Sequence, residues 1–149
     1  MRHLYGKLLI TDSYKEISGG NYVDDLINSA VAWLPINKKF AINKHIEDFT
    51  LPSEATFPLG NIINELLTNA TKHAFAGKDA GKIDFTLACK ERRITLTVQD
   101  DGIGLPEGFN IRTSRGFGLM LVTILTKQLR GKFTLFNNNG TKSILEFDL

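Results

Sequence analysis

Asn64–Phe75 reads NELLTNATKHAF. At helical spacing Ile62, Ile63, Leu66, Leu67, Ala70 and Ala74 gather on one flank, while Glu65, Asn69 and Lys72 stack at i, i+4 and i+7 on the other. The first flank is built to pack. The second aligns a carboxylate, a carboxamide and an ammonium, the groups a magnesium triphosphate needs. The Asn69 carbonyl oxygen can ligate a hard cation, Lys72 can meet a phosphate oxygen, and Glu65 can orient or deprotonate a nucleophile. Taken alone, the same column also describes the solvated side of an amphipathic helix. The decision therefore rests on what flanks it.

Downstream, Phe75 is expected to end the helix, and Ala76 to Gly81 reads as a turn. Two alternating strands follow, with Ile83, Phe85 and Leu87 sharing one face and Ile94, Leu96 and Val98 another; Lys90-Glu91-Arg92-Arg93 forms the hairpin tip between them. The second strand runs into Asp100-Asp101-Gly102-Ile103-Gly104. An acidic residue at a strand end, two positions before a glycine, suits adenine recognition: Asp100 can accept from the exocyclic amine, and Gly102 and Gly104 let the backbone turn close to the ring. Glu107 to Arg115 is polar and without strong period. Gly116-Phe117-Gly118-Leu119 then opens a helix with Leu119, Val122, Leu125 and Leu129 in register and Gly131 as its cap. Glycines just before a helix are a phosphate signal, since the first NH groups point outward there. Neither loop is a Walker motif or a dinucleotide fingerprint. Phe133 to Phe136, the turn Asn137 to Gly140 and a strand Ser143 to Leu149 finish the chain.

These landmarks resemble those of one family. Asn64 to His73 is similar to the N box, Asp100 to Gly104 to the G1 box, Gly116 to Leu119 to the G2 box, and Gly140-Thr141 to the late Gly-Thr pair of the GHKL superfamily. The match is strongest to the catalytic domain of bacterial sensor histidine kinases, over most of the chain from Pro58 onward. The resemblance implies a Bergerat fold: an α+β two-layer sandwich with a mixed, mostly antiparallel sheet covered on one face by about three helices. It implies ATP and Mg2+ as cofactors, with Asn69 and Glu65 at the metal, Lys72 at the phosphates and Asp100 on adenine. Thr141 would support the base, while His73, Gly102, Gly104, Arg115, Gly116, Gly118 and Leu119 would line the nucleotide site. Gly104 to Gly118 would bracket a short lid. Glu65 and Lys72 are the catalytic candidates.

The implied function is transfer of the ATP γ-phosphoryl group to a histidine outside this chain, and thence to a response regulator aspartate. The partners implied are a histidine-containing dimerisation domain and a receiver domain. His3, His45 and His73 are poor acceptor candidates, and His73 reads as a pocket-rim residue. A serine/threonine kinase of the anti-sigma-factor type shares the same boxes, and a non-catalytic nucleotide-binding module would use the same fold.

Upstream, a polar loop from Glu47 to Thr56 leads into the key helix, which is expected to start near Pro58, where proline fits the first turn. Before it, Phe40 to Ile46 alternates as a strand with His45 on its solvent side, and Asp24 to Leu34 reads as a helix stopped by Pro35, with Trp33 as a core or edge anchor. Ser18-Gly19-Gly20-Asn21 reads as a break. Residues 1–20 are expected to be an arm or the remnant of an upstream dimerisation region, and 21–149 the catalytic domain.

At 149 residues the chain is one domain by length. Its 42% apolar and 23% charged fractions are ordinary for a globular protein, and a formal charge of +2 gives no argument for nucleic acid or an anionic membrane. The lone Cys89 reads as a strand residue and cannot make an internal disulfide. No apolar run nears the roughly 18 residues of a membrane span. The chain reads as cytoplasmic, without contact to membrane or nucleic acid.

Overall fold

The computed structural model of the chain describes residues 16–32, 39–74, 80–110 and 117–149. The expectations for His3, Trp33, Pro35, Phe75, Arg115 and Gly116 lie outside these described residues. In chain order the elements are β1 (Glu16–Ser18), α1 (Gly19–Ala32), β2 (Lys39–Ile46), β3 (Thr50–Pro52) and α2 (Ser53–Asn69), which continues into a π-helical turn, Ala70–Ala74. Then come β4 (Ala80–Lys90), β5 (Arg93–Asp100), α3 (Phe117–Gln128), β6 (Lys132–Asn137) and β7 (Thr141–Asp148).

The main sheet has five strands in the order β2-β4-β5-β7-β6, while β1 and β3 form a separate two-stranded ribbon. Only the β2–β4 pair is parallel; β4–β5, β5–β7 and β6–β7 are antiparallel. Alternation along the strands explains why the sheet is covered on one side. Ile83, Phe85 and Leu87 of β4, Ile94, Leu96 and Val98 of β5, and Leu145 and Phe147 of β7 are all buried, and their intervening neighbours are not. The facing layer is helical: Val23 and Ile27 from α1, Leu59, Ile62, Ile63, Leu66 and Leu67 from α2, and Val122 and Leu125 from α3 complete the core. This is the α+β two-layer architecture expected from the sequence.

Four local expectations are corrected. Ser18-Gly19-Gly20-Asn21 does not break a helix; it starts one. The Ser18 hydroxyl accepts from the Asn21 amide at 3.1 Å, as an N-cap does, while the Gly19 amide donates to the Phe49 carbonyl at 2.7 Å. A Cβ on Gly19 would meet the Phe49 ring, so the glycines admit a neighbouring segment rather than loosen the chain. The key helix begins at Ser53, five residues before Pro58, and the supposed loop before it contains β3. Pro58 therefore lies inside α2, buried in its second turn. Near it the Thr56 carbonyl accepts the Tyr22 hydroxyl of α1 at 2.9 Å, a bond between the two helices that sequence period cannot reveal. Burial of that hydroxyl pushes the Tyr22 pKa up.

The α-helical register also ends sooner than expected, at Asn69. The Thr71 hydroxyl reaches back to the carbonyls of Leu67 and Thr68 at 3.1 and 3.2 Å, and the chain widens into the π turn there. Finally, the left-handed residue that closes α3 is Arg130, at φ 56°, not Gly131. The Arg130 amide bonds to Lys127 O at 3.0 Å and the Gly131 amide to Thr126 O at 3.0 Å, which is the Schellman pattern with glycine one place further on.

Candidate functional site

One wall of the site is the second half of α2. Its apolar flank is buried as expected, and it leaves Glu65 and Asn69 half-buried on the adjoining side. Both lie against the start of α3. A Cβ built on Gly118 would come within 2.6 Å of Glu65 Oε2 and 3.9 Å of Asn69 Oδ1. Any side chain at 118 would occupy the space these oxygens use, which is why a glycine stands there. The two motifs are far apart in sequence, and the packing of α3 on α2 joins them. Leu119 is half-buried one residue further along α3.

Lys72 is exposed and sits within the π turn. The column of Glu65, Asn69 and Lys72 was drawn on α-helical geometry. The wider turn takes Lys72 off that register. His73 belongs to the same turn by its backbone.

A second group of these residues stands at the end of β5. Asp100 is only 5% exposed, and its Oδ1 accepts from the Gly102 amide at 2.9 Å and the Thr141 amide at 3.0 Å. Its position is thus fixed from both sides, by the loop it begins and by the strand β7 paired with β5. Gly140, at φ 128°, completes the grip: a Cβ there would meet the Asp100 carbonyl oxygen at 2.1 Å, so only glycine lets the turn close on the aspartate. Asp100, Gly102 and Thr141 are therefore brought together. Asp101 turns away from this group, and its Oδ1 accepts from the Lys82 amide at 2.9 Å.

Sequence reasoning missed the residues that fasten the loop after Asp100. Asn137, the last residue of β6, accepts from the Leu105 amide through Oδ1 at 2.6 Å and donates to the Leu105 carbonyl through Nδ2 at 3.4 Å. Gln99 donates through Nε2 to the Asp100 carbonyl at 2.7 Å and to the Asn138 carbonyl at 2.9 Å, and accepts from Asn138 Nδ2 at 3.0 Å. The run of three asparagines before Gly140 was the available signal; it read as turn composition only.

Residues 55–149 match the model of the histidine kinase-, DNA gyrase B- and HSP90-like ATPase family. The chain belongs to this family. Among curated members it is 33% identical over 114 residues to the sensor histidine kinase PdtaS of Mycobacterium tuberculosis, covering 74% of this chain and 23% of that protein. It is 26% identical over 124 residues to blue-light-activated histidine kinase 2 of Erythrobacter litoralis, covering 83% of this chain and 36% of the relative. This chain thus spans only about a quarter to a third of the length of these relatives. Its fold matches the solved blue-light-activated histidine kinase of E. litoralis with a TM-score of 0.77 at 24% identity, over 89% of this chain and 42% of that one. The catalytic domain of histidine kinase ThkA matches with a TM-score of 0.71 at 18% identity, over 89% and 94%. Members of this ATPase family that are sensor histidine kinases are thus what the chain is similar to in sequence, and histidine kinase catalytic domains are what it is similar to in fold. No helix among the described residues is long and apolar enough to cross a membrane.

Proposed function

We propose that this chain is the ATP-binding catalytic domain of a two-component sensor histidine kinase. It would deliver the γ-phosphoryl group to a histidine of a dimerisation domain outside the chain, for passage to a response regulator aspartate in the cytoplasm. Two observations carry the reading together: the meeting of Glu65 and Asn69 with Gly118, and a buried Asp100 held by Gly102 and Thr141.

Asp100 takes the adenine end. Both of its backbone donors bond to Oδ1, so Oδ2 is the oxygen that accepts from the exocyclic amine, with Thr141 beside it and the Gly102 and Gly104 backbone along the ring. The phosphate end falls to the start of α3, with Gly118 and Leu119, where helix NH groups favour an anion. Lys72 is assigned to a phosphate oxygen, and His73, Arg115 and Gly116 are assigned to nucleotide binding by the family resemblance alone. Glu65 orients or deprotonates the incoming nucleophile.

The donor set fits Mg2+. Glu65 and Asn69 offer hard oxygens side by side, and no cluster of three or more His, Cys, Asp or Glu stands among the described residues to claim a different metal. Magnesium is commonly held by one or two protein oxygens with substrate phosphates supplying others. Asn69 and Glu65 would hold it, and when bound it neutralises charge on the transferring phosphoryl group. Phosphoryl transfer asks the protein mainly for positioning and electrostatics. The bond broken joins the γ-phosphorus to the β,γ-bridging oxygen, and the bond formed joins it to an imidazole nitrogen of the acceptor.

Titration calorimetry of the chain with a non-hydrolysable ATP analogue, with and without Mg2+, tests this. We expect binding that Mg2+ strengthens, and Asn69→Ala to remove that gain, about tenfold or more in Kd. An affinity indifferent to Mg2+ and to Asn69→Ala would reject the metal assignment.

A further inference from the structure

We infer that Asn137 is a positioning residue for nucleotide binding: it holds the loop after Asp100 in the shape that receives the adenine. The inference rests on the ATP reading above. Asn137 lies on β6, the strand at the edge of the sheet, and β7 separates it from β5. Its side chain nevertheless makes two bonds to one residue of the glycine loop, accepting from Leu105 N at 2.6 Å and donating to Leu105 O at 3.4 Å. A carboxamide has the one acceptor and the donors needed to meet a backbone amide and carbonyl together, in the manner of a strand partner.

The contact falls where the loop needs it. Gly104 turns at φ 80°, and a Cβ on it would lie 2.8 Å from Asn137 Oδ1, so the carboxamide packs directly on that glycine. At its other end the loop is fixed by the Gly102 amide on Asp100 Oδ1. The segment Asp100 to Leu105 is therefore pinned at both ends, and Asn137 supplies the second pin. Gln99 and Asn138 do the same for the turn that carries Asn137: they bond reciprocally and tie it to the Asp100 carbonyl. A loop containing two glycines has many conformations available. Without the second pin, binding must first select the receptive shape, and apparent affinity falls by the fraction populated. Asn137 touches no reacting atom; it acts through the backbone of Gly104 and Leu105.

The test compares wild type, Asn137→Ala and Asn137→Asp by titration with an ATP analogue, alongside thermal melting and exchange of the Leu105 amide. Aspartate keeps an acceptor for that amide and alanine does not. We expect Asn137→Ala to weaken binding about tenfold or more and to expose the Leu105 amide to exchange, while melting changes little. Asn137→Asp should keep the amide protected and bind within about threefold of wild type. Unchanged affinity in Asn137→Ala would overturn the inference. Should the alanine variant not fold, the aspartate variant decides alone: a protected Leu105 amide with binding lost tenfold or more overturns it, and protected with near-wild-type binding upholds it. A wild-type chain that binds no adenine nucleotide removes the ATP reading and this inference together. That result appears before any variant is made, so the two failures are distinguishable.

Discussion

Two hairpin turns cap opposite ends of β5 and its neighbours, and both use left-handed backbone. Between β4 and β5 the two turn residues are Glu91 at φ 49° and Arg92 at φ 73°, the pattern of a type I′ turn built without glycine. Between β6 and β7 the left-handed positions are Asn139 at φ 54° and Gly140 at φ 128°. The first turn is tied to the end of the chain, through Arg92 and Leu149. The second closes on Asp100. The difference teaches that turn conformation alone does not select glycine here. What selects it is the close approach of another backbone, and that approach occurs at the Asp100 end of the sheet.

The sharpest way to break this comparison is Gly140→Ala. A Cβ there meets the Asp100 carbonyl at 2.1 Å, so we expect a loss of about 3 kcal/mol or more, read by chemical denaturation, with nucleotide binding abolished in the folded fraction. Little change in stability would show that the turn can move off Asp100. Next is Asp100→Asn, whose Oδ1 can still accept from Gly102 and Thr141. Its expected signature is a fall of about a hundredfold in ATP-analogue affinity with stability altered by no more than about 1 kcal/mol. An unchanged affinity would detach this aspartate from the base.

The hairpin at Glu91-Arg92 should respond in the opposite direction. Replacing the pair by Asn-Gly relieves left-handed strain but removes the bond from Arg92 to the Leu149 carbonyl, 2.7 Å long. A net gain of about 1 kcal/mol is expected, with nucleotide binding unaltered. Loss of stability would mean that the Leu149 contact outweighs the turn. The smallest effect is at Asp48, whose carboxylate receives the Ser18 hydroxyl at 2.7 Å and the Gly20 amide at 3.0 Å at the start of α1. These bonds, the Ser18 hydroxyl foremost, hold its pKa below the ordinary value of 3.8. Because the folded pKa is the lower one, its stabilisation is present above 3.8 and disappears as pH falls through the folded value. The melting temperature of Asp48→Ala should therefore lie slightly below wild type at neutral pH and converge with it in acid. A gap independent of pH would mean that packing, not the carboxylate, sets the difference.

What was legible in the sequence follows from short-range periodicity. The alternation of Ile83, Phe85 and Leu87 against Ile94, Leu96 and Val98 gave the central hairpin, and the period of Ile62 to Ala70 gave the buried flank of α2. The aspartate-glycine and glycine-helix motifs sit at the end of β5 and the start of α3. One error fell where a residue's local preference was overruled by a neighbour distant in sequence. Gly19 and Gly20 read as a break because glycine favours loops, yet they admit Phe49 and Asp48 at the start of a helix. Pro58 read as a helix start because its ring suits a first turn, yet β3 and Ser53 begin the helix earlier.

By itself the sequence determined most of the elements, the buried faces of the central strands and α2, and the candidate groups Glu65, Asn69 and Asp100, because side-chain period and chemistry are local properties. The tertiary structure decided which of them meet. The packing of α3 on α2 sets Gly118 against Glu65 and Asn69, and the β5–β7 pairing sets Thr141 on Asp100. It also brings Asn137 across the sheet end to Leu105. Such contacts join residues tens of positions apart, and only the packing of helices on a registered sheet fixes the distance between them.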